Sequence, residues 1–177
     1  ALPQEERTRE NLLKVSKEVT LTDDYKDFAK DKENQEWYKR ALKAYIGAWL
    51  DDAKKEKIAT MYIMGQSKPG LELFVNGTLG NANRQCLGFI DKIVEGENGL
   101  KVQDWKTGKK ISNFNPNVKI STSNPFDYWR QQTFYAMLLE QLGATVEETS
   151  LLFPCAETPT IIHVDHHNPK VREQVIK

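Results

Sequence analysis

The stretch GFIDKIVEGENGLKVQDWKTGK, residues 88–109, decides the fold of this chain. Two short apolar runs flank a segment with two glycines, a pattern that predicts a β-hairpin. Charged residues interrupt both runs: Asp91 lies in the first, and Asp104 and Lys106 lie in the second. Because charge on a buried strand face is costly, these three residues indicate a chemical role.

The loop between the two runs fixes how the strands pair. With GENG, residues 96–99, as the loop, Ile93 lies opposite Val102 and Asp91 lies opposite Asp104. This register places both apolar sets on one face of the hairpin, whereas a slip of one residue would place them on opposite faces. We therefore expect the two carboxylates to be neighbours, with Cβ atoms about 5 Å apart.

Two carboxylates at this spacing predict a metal site. They repel each other, and a divalent cation between them removes the conflict. Oxygen ligands of this kind favour Mg²⁺ or Mn²⁺ over zinc. Lys106 lies two residues after Asp104 and points the same way, so its ammonium can stabilise charge on a phosphate oxygen. This combination suits phosphodiester hydrolysis; the alternative is a solvent-facing hairpin end where Lys106 pairs with one aspartate.

The composition excludes several classes of protein. The chain has 177 residues, 39% of them hydrophobic, which is enough for one domain with a core. Lys plus Arg (25) balance Asp plus Glu (25), so any nucleic-acid surface would be a local patch. No apolar stretch approaches the roughly 20 residues that span a bilayer, and the first residues of the given sequence lack the pattern of a signal peptide. We expect a cytoplasmic protein without membrane association.

The number of cysteines excludes two further classes of protein. Cys86 and Cys155 are too few for a disulfide scaffold or for a four-thiolate iron–sulfur cluster. We expect both thiols to be reduced and no iron–sulfur cluster to be bound.

The order of predicted elements favours an α/β or α+β sheet with helices against it. We expect one domain over residues 1–177, trimmed from a longer protein: a helical part (1–57), a catalytic sheet and helix (58–165), and the start of a C-terminal helix (166–177). Apolar periodicity predicts helices over 5–19, 34–57 and 126–143. Strands are predicted over 58–64, 71–75, the two hairpin runs, 149–155 and 160–165, with a turn over 65–70.

The hairpin and the helix after it carry three motifs in order. G-x-x-D occurs at Gly88–Asp91, D-x-K-T-G at Asp104–Gly108, and Q-x-x-x-Y at Gln131–Tyr135. Together they resemble the PD-(D/E)xK nuclease superfamily, and specifically its RecB-like exonuclease branch. The resemblance covers about residues 71–153.

This resemblance implies a restriction-endonuclease-like fold, in which helices flank a mixed central sheet. It implies a DNA exonuclease of a bacterial or phage-infected cell. Such an enzyme would use one or two Mg²⁺ or Mn²⁺ ions in recombination, repair or phage DNA metabolism. The expected partners are linear DNA with free ends and other domains of a longer chain. Asp91 and Asp104 would be metal ligands, with the Trp105 backbone carbonyl as a third and Glu72 as an upstream acid. Lys106 would be the catalytic lysine.

Other residues are candidates for contacts with the active site or with DNA. By the resemblance, Gln131 and Tyr135 would meet the active site or the DNA backbone from one helix face, and Thr107 would lie beside the phosphate. Lys109 and Lys110 form a local basic cluster suited to phosphate. Trp129 and Arg130 would stack on a base or hold a phosphate, although a core tryptophan and a surface arginine fit the same pattern.

Several alternatives stay open. Gln131 and Tyr135 also fit an ordinary amphipathic helix in which Gln132 is the inward amide, and Glu72 fits a solvated strand face. Many RecB-like domains supply a histidine ligand from an N-terminal helix, whereas the first histidine here is His163. The alternative function is therefore a nuclease-like domain of low or no activity that binds DNA or a partner. We interpret HVDHHN, residues 163–168, as a strand end entering a helix cap.

Overall fold

The computed structural model describes residues 3–80, 84–106, 128–156 and 158–176. The predicted DNA-binding residues Thr107, Lys109 and Lys110 lie outside these ranges. The described residues form two compact units. The first comprises residues 3–57, 106, 153–156 and 158–160, and the second comprises 58–80, 84–105, 128–152 and 161–176.

Helices form most of the first unit. Its elements are a 3₁₀ turn Gln4–Glu6, α1 Arg9–Thr20, α2 Asp23–Phe28, α3 Lys32–Ala44, a π-helical turn Tyr45–Trp49 and α4 Leu50–Lys55. The prediction missed α2, although its N-cap signal is visible: the Thr22 hydroxyl accepts a hydrogen bond from the backbone N–H of Tyr25. The predicted helix over 34–57 is present as α3, the π-helical turn and α4 in succession.

A mixed five-stranded sheet organises the second unit. Its strands are β3 Leu71–Leu79, β4 Arg84–Glu95, β5 Leu100–Trp105, β6 Val146–Phe153 and β7 Thr160–Val164, in that spatial order. β3, β4 and β5 pair antiparallel, and β5 pairs parallel with β6. The sheet with its helices confirms the predicted α/β class and is consistent with a restriction-endonuclease-like core.

A separate hairpin precedes this sheet and corrects one prediction. β1 Thr60–Ile63 pairs with β2 Gln66–Pro69, so the predicted turn over 65–70 is wrong. Met64 and Gly65 have φ values of +52° and +78° and close a two-residue turn. The chain therefore reverses immediately after β1, and the polar segment that follows pairs as a strand.

The predicted register of the β4–β5 hairpin is confirmed, because Ile93 pairs with Val102. Side-chain exposure alternates along the first half of β4, where Phe89 is 56% exposed. In the second half, the side chains from Ile90 to Val94 are buried or half-buried. Asp91 is half-buried and lies at the boundary between these two halves. The predicted helix over 126–143 is confirmed as α5, Tyr128–Gln141, and Gly143 follows it with φ +84°.

The core lies between α5 and the sheet, with the β1 strand adding to it. Its buried members include Met61, Leu73, Val75, Ile90, Ile93, Val102, Ala136, Leu138 and Leu139. A short helix, α6 Pro169–Ile176, ends the unit, and the Asn168 side chain caps it by accepting from the Lys170 backbone N–H. Neither Cys86 nor Cys155 forms a disulfide bond. In the described part of the chain, no helix has the length and apolar character needed to cross a membrane.

Candidate active site

The two aspartates of the hairpin come together on neighbouring strands. The β4–β5 ladder includes the pair Lys92 and Gln103, and the next position in the same register sets Asp91 against Asp104. The Asp91 carboxylate reaches β5, where it accepts a hydrogen bond of 2.8 Å from the backbone N–H of Trp105. Asp104 is only 3% exposed. The sheet therefore holds one half-buried and one buried carboxylate side by side.

Helix α5 brings Tyr135 to this end of the sheet. The Gln131 side-chain amide donates a hydrogen bond of 3.2 Å to the Tyr135 hydroxyl, one helical turn away. Tyr135 packs directly over Gly88, because a Cβ at Gly88 would lie 2.7 Å from Cε1 of the Tyr135 ring. The glycine of the first motif thus makes room for the tyrosine of the third.

The charges of the aspartates act on the Tyr135 hydroxyl. Burial raises the pKa of Tyr135, and the negative charges of Asp104 and Asp91 raise it further, against the opposing effect of the hydrogen bond from Gln131. The two aspartates and Tyr135 are therefore coupled by charge, and Gln131 is coupled to the same hydroxyl by its hydrogen bond. At neutral pH, the tyrosine keeps its proton and remains a hydrogen-bond donor.

The donor set fits a divalent cation that prefers oxygen. Both candidate ligands are carboxylates, and a buried carboxylate such as Asp104 needs a cation or hydrogen bonds to offset the loss of water. Carboxylates with no nitrogen or sulfur beside them match Mg²⁺ or Mn²⁺ better than softer metals. Asp91 and Asp104 are the residues that would hold such an ion.

The other predicted site residues lie on β3, after β5 and in the first turn of α5. Glu72 is exposed on β3 and does not join the two aspartates in a group of three ligand atoms within 4.8 Å of one another. Lys106 directly follows β5 and belongs to the first unit. Trp129 and Arg130 lie half-buried in the first turn of α5. Their roles, and that of the Trp105 carbonyl, remain predictions.

The structure adds two buried polar residues that the sequence did not predict. Lys92 and Gln103 are register partners, 9% and 8% exposed, next to the two aspartates. Gln132 is fully buried, which makes it the inward amide of α5. Its amide and the Thr133 hydroxyl have no hydrogen-bond partner in the structure as described. A lysine inside the apolar run FIDKIV was the one signal that could have revealed Lys92.

Glu72 has a backbone conformation that glycine would relieve. Its φ is +45° within a strand, a region costly for residues with a Cβ. We expect E72G to raise the free energy of unfolding by about 1 kcal/mol in urea denaturation. E72Q removes the charge but keeps the Cβ, so its stability should match that of the unchanged protein. A stabilised E72Q would show that charge, and not backbone strain, sets the cost at this position.

The raised pKa of Tyr135 predicts a loss of stability in alkali. Above the ordinary tyrosine value of 10.0, the unfolded chain loses the proton before the folded chain does. The contribution of the protonated Tyr135 hydroxyl to the free energy of unfolding is therefore complete below pH 10. It decreases as the pH rises toward the folded-state pKa, by at most about 1.4 kcal/mol per pH unit. Urea denaturation between pH 8 and 11 should show that Y135F reduces this decrease. Y62F, at a side chain 72% exposed, is the control and should leave the pH profile unchanged.

Comparison with known families agrees with this geometry. The sequence profile of the PD-(D/E)XK nuclease superfamily matches residues 1–176, nearly the whole chain. No curated protein matches the chain significantly. Members of this superfamily are usually nucleases that depend on divalent metal ions, so nucleic acid is the implied substrate.

Proposed function

This chain belongs to the PD-(D/E)XK nuclease superfamily, and from that premise we propose that it is a Mg²⁺- or Mn²⁺-dependent deoxyribonuclease. We propose that it is an exonuclease of the RecB-like type, which hydrolyses linear DNA from its ends in recombination, repair or phage DNA metabolism. The observation that carries this proposal is the pairing of Asp91 and Asp104 on adjacent strands, beside the hydrogen-bonded Gln131 and Tyr135.

The two aspartates are the metal-binding residues of this proposal, with the Trp105 carbonyl as a further ligand. When bound, the ion supplies positive charge that stabilises the negative charge developing on the phosphate. The Trp105 backbone N–H holds the Asp91 carboxylate in place through its 2.8 Å hydrogen bond. This bond fixes the orientation of one ligand before the substrate arrives, which lowers the cost of assembling the site.

Lys106 is the proposed catalytic lysine on the basis of its sequence position. It stands two residues after Asp104 in the D-x-K pattern of the superfamily. Its ammonium would stabilise charge on a phosphate oxygen or orient the attacking water. Phosphodiester hydrolysis is very slow without catalysis, so charge stabilisation of this kind must supply a large part of the rate.

Tyr135 and Gln131 would contribute hydrogen bonds. Because Tyr135 keeps its proton at neutral pH, its hydroxyl can donate to a phosphate oxygen that approaches the aspartates. Gln131 donates to the same hydroxyl and so sets its orientation. This pair acts on the substrate from the helix, while the aspartates act from the sheet.

An aromatic pair with one exposed ring lies close to this site and suits a nucleic-acid substrate. Phe89 precedes Asp91 by two residues on β4, and its ring centroid lies 5.2 Å from that of Phe74 on β3. Since a strand rises about 3.3 Å per residue, the Phe89 backbone lies about 7 Å from that of Asp91. A base stacked on an exposed ring at this distance would keep its neighbouring phosphate near the carboxylates.

The test is digestion of end-labelled DNA by the purified chain. We expect linear DNA to be degraded with Mg²⁺ or Mn²⁺ but not with EDTA, and covalently closed circles to survive. K106A should abolish degradation, whereas K26A, at an exposed lysine of α2, should degrade DNA like the unchanged protein.

Three outcomes would contradict this proposal in different ways. Cleavage of closed circles would replace the exonuclease by an endonuclease. DNA that is bound but never cut would favour the alternative function, a nuclease-like domain that binds DNA. Cleavage that persists in K106A would remove Lys106 from the catalytic residues.

A further inference from the structure

A second group of potential metal ligands lies at the other end of the sheet. Glu140, near the end of α5, and His166 and His167, between β7 and α6, bring one ligand atom each to within 4.8 Å of the others. His166 lies beside Val146, the first residue of β6, which pairs with Leu100 at the start of β5. Asp104 lies four residues beyond Leu100 along β5, and four residues of strand span about 13 Å. The two groups are therefore separate.

The hydrogen bonding of His166 prepares it as a ligand. Its Nε2 lies 3.2 Å from the Val146 carbonyl oxygen, which can only accept, so Nε2 carries the proton of this hydrogen bond. In the neutral ring, Nδ1 then carries the lone pair. Histidine ligands commonly donate their other N–H to a backbone carbonyl in this way. His166 is 3% exposed, so its ring is held within the fold.

The neighbouring side chains orient the other two ligands. The His166 and His167 rings lie 4.0 Å apart between centroids, so the two imidazoles are direct neighbours. Arg172 donates to the Glu140 carboxylate at 2.6 and 3.3 Å, which fixes its direction while each oxygen keeps a second lone pair. Donor atoms on one tetrahedral ion lie about 3.4 Å apart. The three donor atoms here lie within 4.8 Å of one another, and the side chain of His167 is exposed.

The pocket beside the two histidines is acidic, whereas Glu140 itself is paired with the Arg172 guanidinium. A pocket of about 780 Å³ contains both histidines, and its lining carries more acidic than basic side chains. The acidic residues of the lining are Glu97, Glu147, Glu148 and Asp165, and its lysine, Lys101, carries the opposite charge. We propose that Glu140, His166 and His167 bind one transition-metal ion, Zn²⁺ or a similar ion, at a site distinct from the nuclease centre. Two imidazoles and one carboxylate suit Zn²⁺, Co²⁺ or Ni²⁺ better than Mg²⁺.

Such an ion would join two parts of the second unit. Glu140 belongs to α5, while the two histidines belong to the connection that leads from β7 into α6. A bound ion stabilises only the folded chain, because the unfolded chain does not hold the three ligands together. We therefore assign this ion a structural role, which does not depend on the proposed nuclease activity.

Titration of the metal-free full chain with Co²⁺ tests this site. The visible absorption of bound Co²⁺ should saturate at one equivalent, and Zn²⁺ should displace it. H167Q changes the exposed ligand and so avoids disturbing the core; it should weaken Co²⁺ binding about tenfold or more. H163Q is the matched control, since His163 lines the same pocket and pairs with Glu148 outside the ligand group. It should bind Co²⁺ like the unchanged protein.

Thermal unfolding gives a second readout that separates the two metal sites. Zn²⁺ should raise the Tm of the unchanged protein, of H163Q and of D104N, because D104N alters only the nuclease centre. H167Q should show a much smaller rise. The proposal is overturned if the unchanged protein binds no Co²⁺, if H167Q binds it with the original affinity, or if the rise in Tm disappears in D104N.

Discussion

D104N is expected to lower the rate of metal-dependent DNA hydrolysis by about 10²–10³-fold, the size of effect that follows the loss of one group stabilising transition-state charge. Asparagine has the shape of aspartate but lacks its charge, so the metal loses a charged ligand while the strand keeps its packing. Asp104 is 3% exposed and lies in register with Asp91. Without metal, its charge is repelled by its neighbour. The Tm of D104N in EDTA should therefore equal or exceed that of the unchanged protein.

Single-turnover digestion of linear DNA and thermal unfolding with and without Mn²⁺ measure both effects. Mn²⁺ should raise the Tm of the unchanged protein more than that of D104N, because the variant has lost half of its carboxylate pair. D51N is the control: Asp51 lies on α4 with its side chain 88% exposed, so neither activity nor stability should change. A D104N protein that cuts DNA at the original rate would remove the aspartate pair from catalysis.

The hairpin was predictable because three local signals agree. The glycines of GENG locate the loop, the apolar runs select the register, and the register alone makes Asp91 and Asp104 neighbours. Helix α5 was predictable for a similar reason, since its apolar periodicity ends at Gly143. Local information thus specified both elements that carry the proposed site.

Long-range contacts were not predictable from the same signals. β2 is a polar strand whose pairing depends on the tight turn at Met64 and Gly65, so it has no apolar alternation of its own. Lys92 looks like a surface lysine in sequence, yet it is buried because this half of β4 is covered on both faces. The approach of Tyr135 to Gly88 joins residues 47 positions apart, and no local pattern encodes it.

G88A is expected to destabilise the protein by about 1–3 kcal/mol, the usual cost of overpacking a core, and to lower DNA hydrolysis. The added Cβ would lie 2.7 Å from Cε1 of Tyr135 and 3.5 Å from its hydroxyl oxygen. A ring cannot yield as a flexible side chain can, so the tyrosine or the strand must move. Displacement of a positioning group by about 1 Å can reduce a rate about 100-fold. Urea denaturation and single-turnover digestion would measure the two effects.

Double substitution distinguishes this contact from a general effect on β4. If the ring of Tyr135 causes the cost, G88A should be less harmful to stability in a Y135L background, with a coupling energy of about 0.5–3 kcal/mol. G47A is the control, because a Cβ at Gly47 would meet nothing within 4 Å, and its stability should be unchanged or higher. Additive effects of G88A and Y135L would refute the contact. The glycine of G-x-x-D would then be required for some reason other than space for the tyrosine of Q-x-x-x-Y.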